Sequence, residues 1–385
     1  MFHIATAEEI REGEVTDVYF QRTKEILEKE KIRKQVKAEF CVKKFPERYS
    51  WGVLAGIEEV AKLLEGKTGI NVDCFWEGTI FGQNQPVMVI EGEYTEFGIY
   101  ETALLGFLCQ ASGIATKAAR CKKTAGERIL ISFGVRRMHP AIAPMIERSA
   151  FIGGCDGVAG VKSAEILGIE PMGTMPHALV LLLGDVVKAA QSFHKIMDKK
   201  IKRIALIDTF SDEKFEAIRV AEVLGKDLYG VRLDTPASRR GDFLGILKEV
   251  RWELDLRGFK DIKIIVSGGI NEEEILALNS VCDGYGVGTA ISNAQVLDFA
   301  MDIVEIEGKP LAKRGKFSGA KKVLRCPKCF YTEIVPASIE NLSHCGKKME
   351  NLLKPLIRDG KLVRNLPKPQ EIRNYVLSQL DKYLI

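Results

Sequence analysis

From about residue 128 the chain repeats one unit, in which a short β-rich run is followed by a Gly- or Asp-marked loop and a helical stretch. Alternation at this spacing predicts parallel strands that are joined by crossover helices. The predicted helices cover residues 211–225, 241–258 and 271–281. The predicted strands are RILISFG (128–134), the stretch leading into GTMP (169–174), RIALIDT (203–209), LYGVRLDT (228–235), IKIIVSGG (262–269) and GYGVGT (284–289).

Polar residues gather at the C-terminal ends of these predicted strands. They are Arg136, His177, Asp208, Arg232, Asp234, Ser267 and Gly268. A βα barrel assembles its site from the loops at those ends, whereas an open doubly wound sheet uses mainly the loops beside its switch point. We therefore predict an α/β protein with an irregular parallel βα barrel over residues 116–300, and the open sheet is the alternative. Turn-forming preference explains an isolated Asp or Gly, but it does not explain Arg232 together with Asp234.

The two ends of the chain lack this alternation. Residues 1–115 are predicted to form a separate α+β domain, with a helical stretch over 21–34 that is followed by the strand-like runs VKAEFCV and PVMVIEGEY. The run MDIVEIEGKPLAKRG reads as a strand that leaves the barrel, and we expect residues 301–325 to rejoin the first domain. Residues 326–385 are predicted to form a small metal-binding knuckle and a helical tail.

Composition and charge exclude several classes of protein. A chain of 385 residues that is 46% hydrophobic can bury a large core, which excludes intrinsic disorder. The 56 Lys and Arg residues against 52 Asp and Glu leave a net charge of +4 without a basic block, so nucleic acid and membrane surfaces are not expected partners. The apolar run near residue 180 ends at Gly184, far short of the roughly 20 residues of a membrane span. The first residues, MFHIATAEEIREG, contain acids and no apolar signal core, which predicts a cytoplasmic protein.

The nine cysteines divide into six single residues and one cluster. An odd number argues against a disulfide framework, so thiols or metal ligands are expected. The single cysteines, which read as small buried hydrophobes, are Cys41, Cys74, Cys109, Cys121, Cys155 and Cys282. In the cluster, CPKC supplies Cys326 and Cys329, and SHC follows with His344 and Cys345. We predict a zinc site with Cys345 as third and His344 as fourth ligand. The site should be structural, because four protein ligands leave no position for substrate. A metal-free knuckle of thiols is the alternative.

Two glycine-containing strand ends, SGGI (267–270) and GVGT (286–289), predict an anion site. Glycine lets backbone amides approach a ligand closely, and the loops after late barrel strands often bind phosphate. The hydroxyl of Thr289 adds a further donor. The residues that we expect at this phosphate site are Ser267, Gly268, Gly269, Gly286, Gly288 and Thr289.

Two charged motifs indicate a sugar phosphate and a flat anionic ring. In GVRLDT, Arg232 and Asp234 are two residues apart on a strand, so both side chains point to the same side. The guanidinium suits a phosphate and the carboxylate suits ribose hydroxyls, while a plain salt bridge at the strand end is the alternative. In SFGVRRMHP, Phe133 is suited to stack on a ring, and Arg136 and Arg137 are suited to bind its carboxylate. Phe133 as an ordinary core residue is the alternative.

His177 begins an apolar run, HALVLLL, after Pro176, and proline is favoured at the start of a helix. The run predicts a buried helix. A lone histidine at such a position usually caps the chain or hydrogen-bonds a loop carbonyl. This one lies at the rim where the predicted phosphate and ring groups gather, and a helix N-terminus favours an incoming phosphoryl group. We therefore expect a functional histidine whose ring Asp208, at the next strand end, can orient.

Seven short motifs follow one another along the chain. They are TDVYF (16–20), SGIAT (112–116), SFGVRR (132–137), GTMPH (173–177), GVRLDT (230–235), SGGI (267–270) and GVGT (286–289). In this order they resemble a nicotinate phosphoribosyltransferase of the type II phosphoribosyltransferase family. The resemblance extends over essentially the whole chain, and it is closest to the archaeal form with a small zinc knuckle near its C-terminus. Each motif alone is weakly specific, but seven in order are strongly specific.

The resemblance implies transfer of a phosphoribosyl group from phosphoribosyl pyrophosphate to the ring nitrogen of nicotinate. The products would be nicotinate mononucleotide and pyrophosphate, for NAD synthesis. The resemblance also implies coupling to ATP hydrolysis and a requirement for Mg²⁺. A ribosyl transition state is cation-like, so such an enzyme needs positioned anions near C1 and clamps on both phosphates more than it needs a nucleophile.

The resemblance further implies roles for residues at the pyridine ring. Tyr19 and Phe133 would sandwich the ring, and Arg136 would face its carboxylate with Arg137 as additional charge. Asp17 and Tyr19 would reach into the site of the neighbouring subunit. A homodimer is therefore the smallest active unit that the resemblance implies.

Other implied roles concern the phosphorylated substrates. Asp234 would lie near the ribose, and Thr174 of GTMPH would contact substrate. His177 would accept the γ-phosphate of ATP and, while phosphorylated, tighten the site around phosphoribosyl pyrophosphate. The residues implied to hold the 5′-phosphate are Arg232, Gly269, Gly288 and Thr289.

Three alternatives to this reading are open. The first is a nicotinamide phosphoribosyltransferase. GGCDG (153–157) places Asp156 where these related enzymes carry an aspartate for the amide, and an acid there would repel a carboxylate. Quinolinate phosphoribosyltransferases share an SGIAT-like helix, although they lack the TDVYF start and the zinc tail. A zinc-ribbon binding protein without turnover would explain the cysteine cluster, but not the phosphate and histidine groups at one barrel mouth.

Overall fold

The computed structural model describes residues 2–46 and 49–384. It divides the chain into two units. The first comprises Met1–Thr116 together with Gln295–Ile385, and the second comprises Lys117–Ala294. The second unit thus begins next to the predicted barrel boundary at residue 116 and ends a few residues before the predicted boundary at residue 300.

The first unit contains a seven-stranded antiparallel sheet. Along its strand Gln35–Val42, the apolar residues Val36, Ala38, Phe40 and Val42 recur at every second position and are all buried. This period of two places one face of the strand on the core. The strands, in sheet order, are Lys309–Pro310, Phe299–Ile306, Gln35–Val42, Met88–Glu93, Asn71–Cys74, Lys354–Arg358 and Lys361–Leu362.

Smaller elements complete the first unit. Its other strands are Gly52–Val53, Ile80–Phe81, Lys321–Arg325, Thr332–Pro336, Ser343–His344, Lys347–Lys348 and Glu350–Asn351. Its α-helices are Ala7–Glu12, Val18–Lys29, Ile57–Leu64, Tyr94–Phe97, the long helix Glu101–Ala125 that continues into the second unit, and Pro369–Leu380. Within the part of the chain that the structure describes, no helix is both long and apolar enough to cross a membrane.

The C-terminal region, which the sequence predicts as a knuckle and a helical tail over residues 326–385, lies in the first unit. The strand Lys354–Arg358 pairs with Asn71–Cys74 in the large sheet. Gln379, in the last helix, accepts a hydrogen bond from the N–H of Ile80 at 3.0 Å and donates one to a carbonyl at 2.9 Å. These partners are 299 and 301 residues away in the chain, so local patterns do not reveal the pairing.

The second unit contains a six-stranded parallel sheet. Its strands, in sheet order, are Gly157–Val158, Ile129–Ser132, Gly284–Val287, Lys263–Ser267, Leu228–Leu233 and Arg203–Leu206. Strands that follow one another in the chain are neighbours in the sheet, except for Gly157–Val158 and Arg203–Leu206, which form its two edges. The last strand of the chain in this sheet, Gly284–Val287, pairs with the first, Ile129–Ser132. A doubly wound sheet would instead reverse its order at a switch point. The predicted parallel βα barrel is therefore confirmed, in the form of a half-barrel.

The strand predicted at 169–174 is not formed, and the sheet is open at this point. Residues 169–176 have no regular secondary structure. The N–H of Met172 donates to the carbonyl of Val158 at 2.8 Å, which ties the segment to the edge of the sheet. Pro171 and Pro176 have no N–H and cannot continue a ladder. The strand prediction was wrong because these prolines interrupt the pairing.

The α-helices of the second unit lie between and after its strands. They are Ala143–Ile152, Val161–Leu167, His177–Leu183, Val186–Ile196, Glu213–Leu224, Ala237–Arg240, Phe243–Leu256, Glu272–Leu278 and Thr289–Ser292. The helix that begins at His177 is not buried, contrary to the prediction. Val180 is buried, but Leu181 and Leu182 are 57% and 86% exposed. A two-turn helix packs only one face against the protein. Because this run is apolar on all sides, its sequence does not indicate which face is buried.

Two glycines at the ends of the helix Ile57–Leu64 provide a matched test of packing. Gly56 and Gly66 have φ angles of +92° and +88°, and alanine is strained by about 1–2 kcal/mol in such a conformation. A Cβ at Gly56 would also lie 2.4 Å from the carbonyl oxygen of Phe107, whereas one at Gly66 would meet nothing within 4 Å. Gly56→Ala should therefore lower the free energy of unfolding by about 3 kcal/mol, and Gly66→Ala by about 1 kcal/mol. Urea denaturation measures both, and equal losses would contradict the packing.

Candidate active site

His177 begins its helix close to the end of the neighbouring strand Arg203–Leu206. Its Nδ1 lies 3.0 Å from the hydroxyl of Thr209, and its Nε2 lies 3.7 Å from Oδ1 of Asp208. The side chain of His177 is 38% exposed and that of Asp208 is 2% exposed. The imidazole is therefore accessible to a ligand, while its acidic neighbour is enclosed by protein.

Asp208 connects this histidine to the next strand end. Its Oδ2 accepts hydrogen bonds from the N–H of Asp234 at 2.7 Å and from the hydroxyl of Thr235 at 3.3 Å. Its Oδ1 is buried and has no hydrogen-bond partner among the described residues, and the Nε2 of His177 faces it. Burial raises the pKa of Asp208, while the hydrogen bond from Asp234 and the charge of His177 oppose the rise.

Arg232 and Asp234 lie on the same side of their strand and form an ion pair, with Nη1 and Oδ2 3.3 Å apart. The hydroxyl of Ser267 accepts a hydrogen bond from Arg232 at 2.9 Å and donates one to Oδ1 of Asp234 at 2.9 Å. Arg232 also donates to the carbonyl of Met175 at 3.1 Å, in the loop before His177. The guanidinium is thus bound by three segments of the chain, which a salt bridge at one strand end would not require.

Arg232 is a buried cation with charges of both signs around it. The residue is 8% exposed. Burial lowers the pKa of its guanidinium, the carboxylates of Asp234 and Asp208 raise it, and the positive charge of Arg136 lowers it further. Because a buried cation is stable only with close anionic or polar partners, the position of Arg232 depends on these acids.

The predicted phosphate loop SGGI passes beside this ion pair. Gly268 and Gly269 have φ angles of +79° and +65°, a region that glycine enters without steric penalty. A Cβ at Gly268 would lie 2.8 Å from Oδ1 of Asp234, whereas one at Gly269 would meet nothing closer than 3.8 Å. The loop is therefore packed on one side and open on the other, which suits close approach of an anion to the backbone.

Phe133 lies across the second glycine motif. A Cβ at Gly286 would lie 2.3 Å from the Phe133 ring, so the half-buried ring occupies the space that the missing side chain leaves. Gly286 pairs with Ser267 in the parallel sheet. Gly288 and the exposed Thr289 follow at the start of a four-residue helix. The structure thus brings the ring of Phe133 to the strand Gly284–Val287, next to the strand that carries Ser267.

The remaining predicted residues of this rim are less enclosed. Arg136 and Arg137 are exposed in a 3₁₀ turn after the strand Ile129–Ser132. Thr174 is half-buried, and its hydroxyl donates to the carbonyl of Met175 at 3.3 Å. The rim therefore has exposed positive charge beside the Phe133 ring.

Asp156 is not brought to this cluster. Its Oδ2 accepts hydrogen bonds from Nζ of Lys122 at 2.9 Å and from the N–H of Leu130 at 2.8 Å. The same Nζ donates to the carbonyl of Arg128, the residue before the strand Ile129–Ser132. The carboxylate therefore lies beside the amino-terminal end of that strand, whereas Asp208, Asp234 and Ser267 lie at carboxyl ends of theirs. The structure thus gives Asp156 an ion-pair partner, Lys122, outside the cluster around Arg232.

Asp17 and Tyr19 belong to the first unit. The N–H of Asp17 donates to the hydroxyl of Thr102 at 3.1 Å, and Tyr19 is 56% exposed. Glu101 lies in the same neighbourhood. Burial raises the pKa of its carboxyl to about 7, with Asp17 adding to the rise and Lys313 opposing it. This part of the first unit therefore presents an exposed aromatic ring beside acidic groups.

The four predicted metal ligands come together in the first unit. The ligand atoms of Cys326, Cys329, His344 and Cys345 all lie within 4.8 Å of one another. Sγ of Cys329 and Sγ of Cys345 are each 3.2 Å from Nδ1 of His344 and 3.6 Å from each other. Tetrahedral zinc bonds of about 2.0–2.3 Å place neighbouring ligand atoms roughly 3.3–3.8 Å apart, so the donor set fits a zinc ion.

A tight turn explains how two consecutive residues reach this cluster. The strands Ser343–His344 and Lys347–Lys348 pair as a hairpin. The two residues between them, Cys345 and Gly346, have φ angles of +52° and +70°. A type I′ turn requires positive φ at both central residues. Such a turn bends the chain sharply enough for His344 and Cys345 to face one point.

Two family models match most of the chain. The N-terminal domain of quinolinate phosphoribosyl transferase matches residues 17–112, and the C-terminal domain matches residues 114–302. A crystal structure of nicotinate-nucleotide pyrophosphorylase from Pyrococcus furiosus is 56% identical with a TM-score of 0.96, and the match covers 99% of this chain and 98% of that one. The chain belongs to the type II phosphoribosyltransferase family.

Curated relatives of this family member carry the name nicotinate phosphoribosyltransferase. The pncB2 protein of Mycobacterium tuberculosis is 29% identical over 319 residues, which cover 79% of this chain and 67% of that protein. The Bacillus subtilis protein is 34% identical over 224 residues, covering 57% of this chain and 45% of that protein. The chain thus spans about half to two thirds of the length of these relatives. The structure of human nicotinic acid phosphoribosyltransferase is 17% identical with a TM-score of 0.75, covers 95% of this chain and 94% of its own, and shows the same fold.

The sequence pattern did not identify three residues of the candidate site. Thr209 and Thr235 each follow an aspartate that the pattern singled out, so their place at strand ends was an available signal. Arg240 donates hydrogen bonds to the carbonyls of Thr235 and Ser267. No local signal distinguishes Arg240, which is buried, from Arg239, which is exposed.

Glu101→Gln should make the stability of the protein less sensitive to pH. The folded carboxyl keeps its proton up to a pKa of about 7, whereas the ordinary value is 4.5. Protonation therefore favours the folded state below about pH 4.5, and this contribution is lost as the pH rises through 7. The thermal midpoint of the unmodified protein should fall relative to that of Glu101→Gln between about pH 5 and 8. The exposed Glu96→Gln is the control, and a pH-independent difference for Glu101→Gln would contradict the assignment.

Proposed function

We propose that this chain transfers phosphoribosyl from phosphoribosyl pyrophosphate to nicotinate, giving nicotinate mononucleotide and pyrophosphate in NAD synthesis, with coupling to ATP hydrolysis. The observation that carries the proposal is a network at three neighbouring strand ends. It consists of His177, Asp208, Arg232, Asp234 and Ser267. The names of the curated relatives support the same reaction.

The network suits a phosphorylated ribose. Asp234 and Ser267 hold the guanidinium of Arg232 in one orientation, and a fixed guanidinium is a strong partner for phosphate. The Gly269 backbone provides a further donor on the open side of its loop. Asp208 and Asp234 supply negative charge, which would stabilise the cation-like ribosyl transition state.

The pyridine ring would lie against Phe133, with its carboxylate facing Arg136. Phe133 is half-buried and Arg136 is exposed, so one can stack on the ring while the other reaches its edge. The second face of the ring would be covered by Tyr19 of a neighbouring subunit. The exposure of Tyr19 in this chain supports that role, and the active unit would be at least a homodimer that shares Asp17 and Tyr19 between its sites.

His177 would couple ATP hydrolysis to this transfer. A neutral imidazole is nucleophilic near pH 7. A bond from ring nitrogen to the γ-phosphorus would form as the bond to the bridging oxygen breaks, and ADP would leave. Asp208 would orient the ring and balance the positive charge that develops on the imidazole, because its Oδ1 faces Nε2 at 3.7 Å. Hydrolysis of the phosphohistidine would restore the resting site.

Mg²⁺ is expected to accompany both phosphorylated substrates. Bound to them, it would neutralise part of the charge on their phosphates. The ion prefers oxygen ligands, and the carboxylates of Asp208 and Asp234 are the acidic oxygen donors at these neighbouring strand ends. Asp208 and Asp234 are the residues that fit it.

The experiment that tests the proposed function measures pyrophosphate release. Purified protein, phosphoribosyl pyrophosphate, ATP and Mg²⁺ would be mixed in parallel with nicotinate, nicotinamide or quinolinate. Nicotinate should be the fastest acceptor. Quinolinate is the required comparison because the matching family models carry its name. Faster turnover of either other acceptor would reassign the substrate, and no release with any of them would overturn the function.

The Cys/His cluster is proposed to hold one structural zinc ion per chain. All four donors belong to the protein, so the site leaves no position for substrate. Cys345→Ser should reduce the zinc content and lower the thermal midpoint more than it lowers the activity of the protein that stays folded. Cys41→Ser, at a half-buried single thiol, is the matched control. Metal analysis measures the zinc content, and thermal denaturation measures the midpoint. Unmodified protein without zinc would refute the site.

His177→Ala should abolish ATP hydrolysis and phosphohistidine formation but leave slow, ATP-independent nucleotide synthesis. The reason is that His177 acts on ATP, while the phosphoribosyl contacts remain in place. His194→Ala is the control, since that histidine lies in another helix, 3.9 Å from Asp227. Product formation and ATP consumption would be followed together. A His177→Ala variant that hydrolyses ATP in step with product, or one that loses all synthesis, would exclude the coupling role.

A further inference from the structure

Arg240 binds the two loops that carry the candidate phosphate site. Its Nε donates to the carbonyl of Thr235 at 2.8 Å, and its Nη2 donates to the carbonyl of Ser267 at 3.0 Å and to that of Gly268. The residue is 9% exposed, and its guanidinium lies over the ring of Phe243 at 4.6 Å from the centroid. One side chain thus fixes the ends of two neighbouring strands.

These hydrogen bonds set the direction of the backbone amide in the SGGI loop. In a planar trans peptide, the C=O of one residue and the N–H of the next point in opposite directions. Because the carbonyl of Gly268 points at Arg240, the N–H of Gly269 points away from the guanidinium. Asp234 borders the loop on another side, since a Cβ at Gly268 would lie 2.8 Å from its Oδ1. The loop therefore has little freedom to rotate this peptide.

We infer that Arg240 is a positioning residue for the phosphate loop, which orients the Gly269 amide toward the phosphate of the substrate without contacting the reacting atoms. This inference rests on the proposed function, because the ligand of the loop is the phosphoribosyl substrate. The guanidinium is needed for its shape as well as for its charge. Its donors form a planar fork that reaches carbonyls of two loops, whereas the single ammonium of a lysine does not reproduce that fork.

Arg239 provides a matched control beside it. The two arginines are adjacent in the chain, but Arg239 is exposed. Arg240→Met keeps an unbranched side chain near Phe243 and removes every donor. Arg240→Lys keeps the charge, and Arg240→Ala leaves a space that added guanidinium ion can fill. Arg239→Met removes an identical charge without removing the loop contacts.

The experiment measures binding of phosphoribosyl pyrophosphate by calorimetry, together with kcat and the KM of each substrate. Arg240→Met should raise the Kd and KM of phosphoribosyl pyrophosphate about tenfold or more, with less than a threefold change in the KM of nicotinate. Arg240→Lys should be intermediate, millimolar guanidinium should partly restore Arg240→Ala, and Arg239→Met should resemble the unmodified protein. Thermal midpoints of all variants identify any that do not fold.

The outcomes separate this inference from the proposed function. Unmodified protein that neither binds phosphoribosyl pyrophosphate nor releases pyrophosphate overturns the proposed function, and the role of Arg240 with it. Unmodified protein that is active while Arg240→Met matches Arg239→Met overturns the role of Arg240 alone. A lower thermal midpoint with equal losses in both KM values, no advantage of lysine and no effect of guanidinium would show a purely structural arginine, and would also overturn it.

Discussion

The arrangement of the candidate site depends on the interactions that the buried guanidinium of Arg232 makes with its charged and polar partners. A guanidinium keeps its charge in a protein, so its burial requires close anionic or polar partners. Asp234, Ser267 and the carbonyl of Met175 provide them. These partners belong to the same strand, to the neighbouring strand and to the loop before His177. One buried charge therefore fixes three segments with respect to one another.

The parallel sheet explains why those segments meet. Parallel strands place all their carboxyl ends at one edge, so residues far apart in the chain become neighbours there. Asp208, Asp234 and Ser267 follow three adjacent strands, and backbone and side-chain hydrogen bonds join them in a row. Asp208 and Asp234 counter the charge of Arg232, and Asp208 also lies beside His177. The charge balance of Arg232 and the surroundings of His177 thus depend on shared residues.

The Cys/His cluster illustrates a different way of building a site. Its four donors come from two short turns of the first unit and need no parallel sheet. Positive φ at Cys345 and Gly346 forms the hairpin that brings consecutive side chains together. A small apolar group, with Leu324 and Met349 beside Cys326, lies under it. Such a small core supports a fold weakly, so a bound ion would contribute much of the local stability.

The sequence by itself determined the features that depend on local periodicity. Alternation of strands and helices predicted the parallel sheet, a spacing of two placed Arg232 and Asp234 on one side, and CPKC indicated the Cys/His cluster. Tertiary structure decided which of these segments pair and which side chains are enclosed. It left residues 169–176 outside the sheet, exposed Leu182, placed Asp156 beside the amino-terminal end of the strand Ile129–Ser132 and buried Arg240 instead of its neighbour. The physical reason is that local patterns record which face of a segment is apolar, whereas burial depends on partners that are distant in the chain.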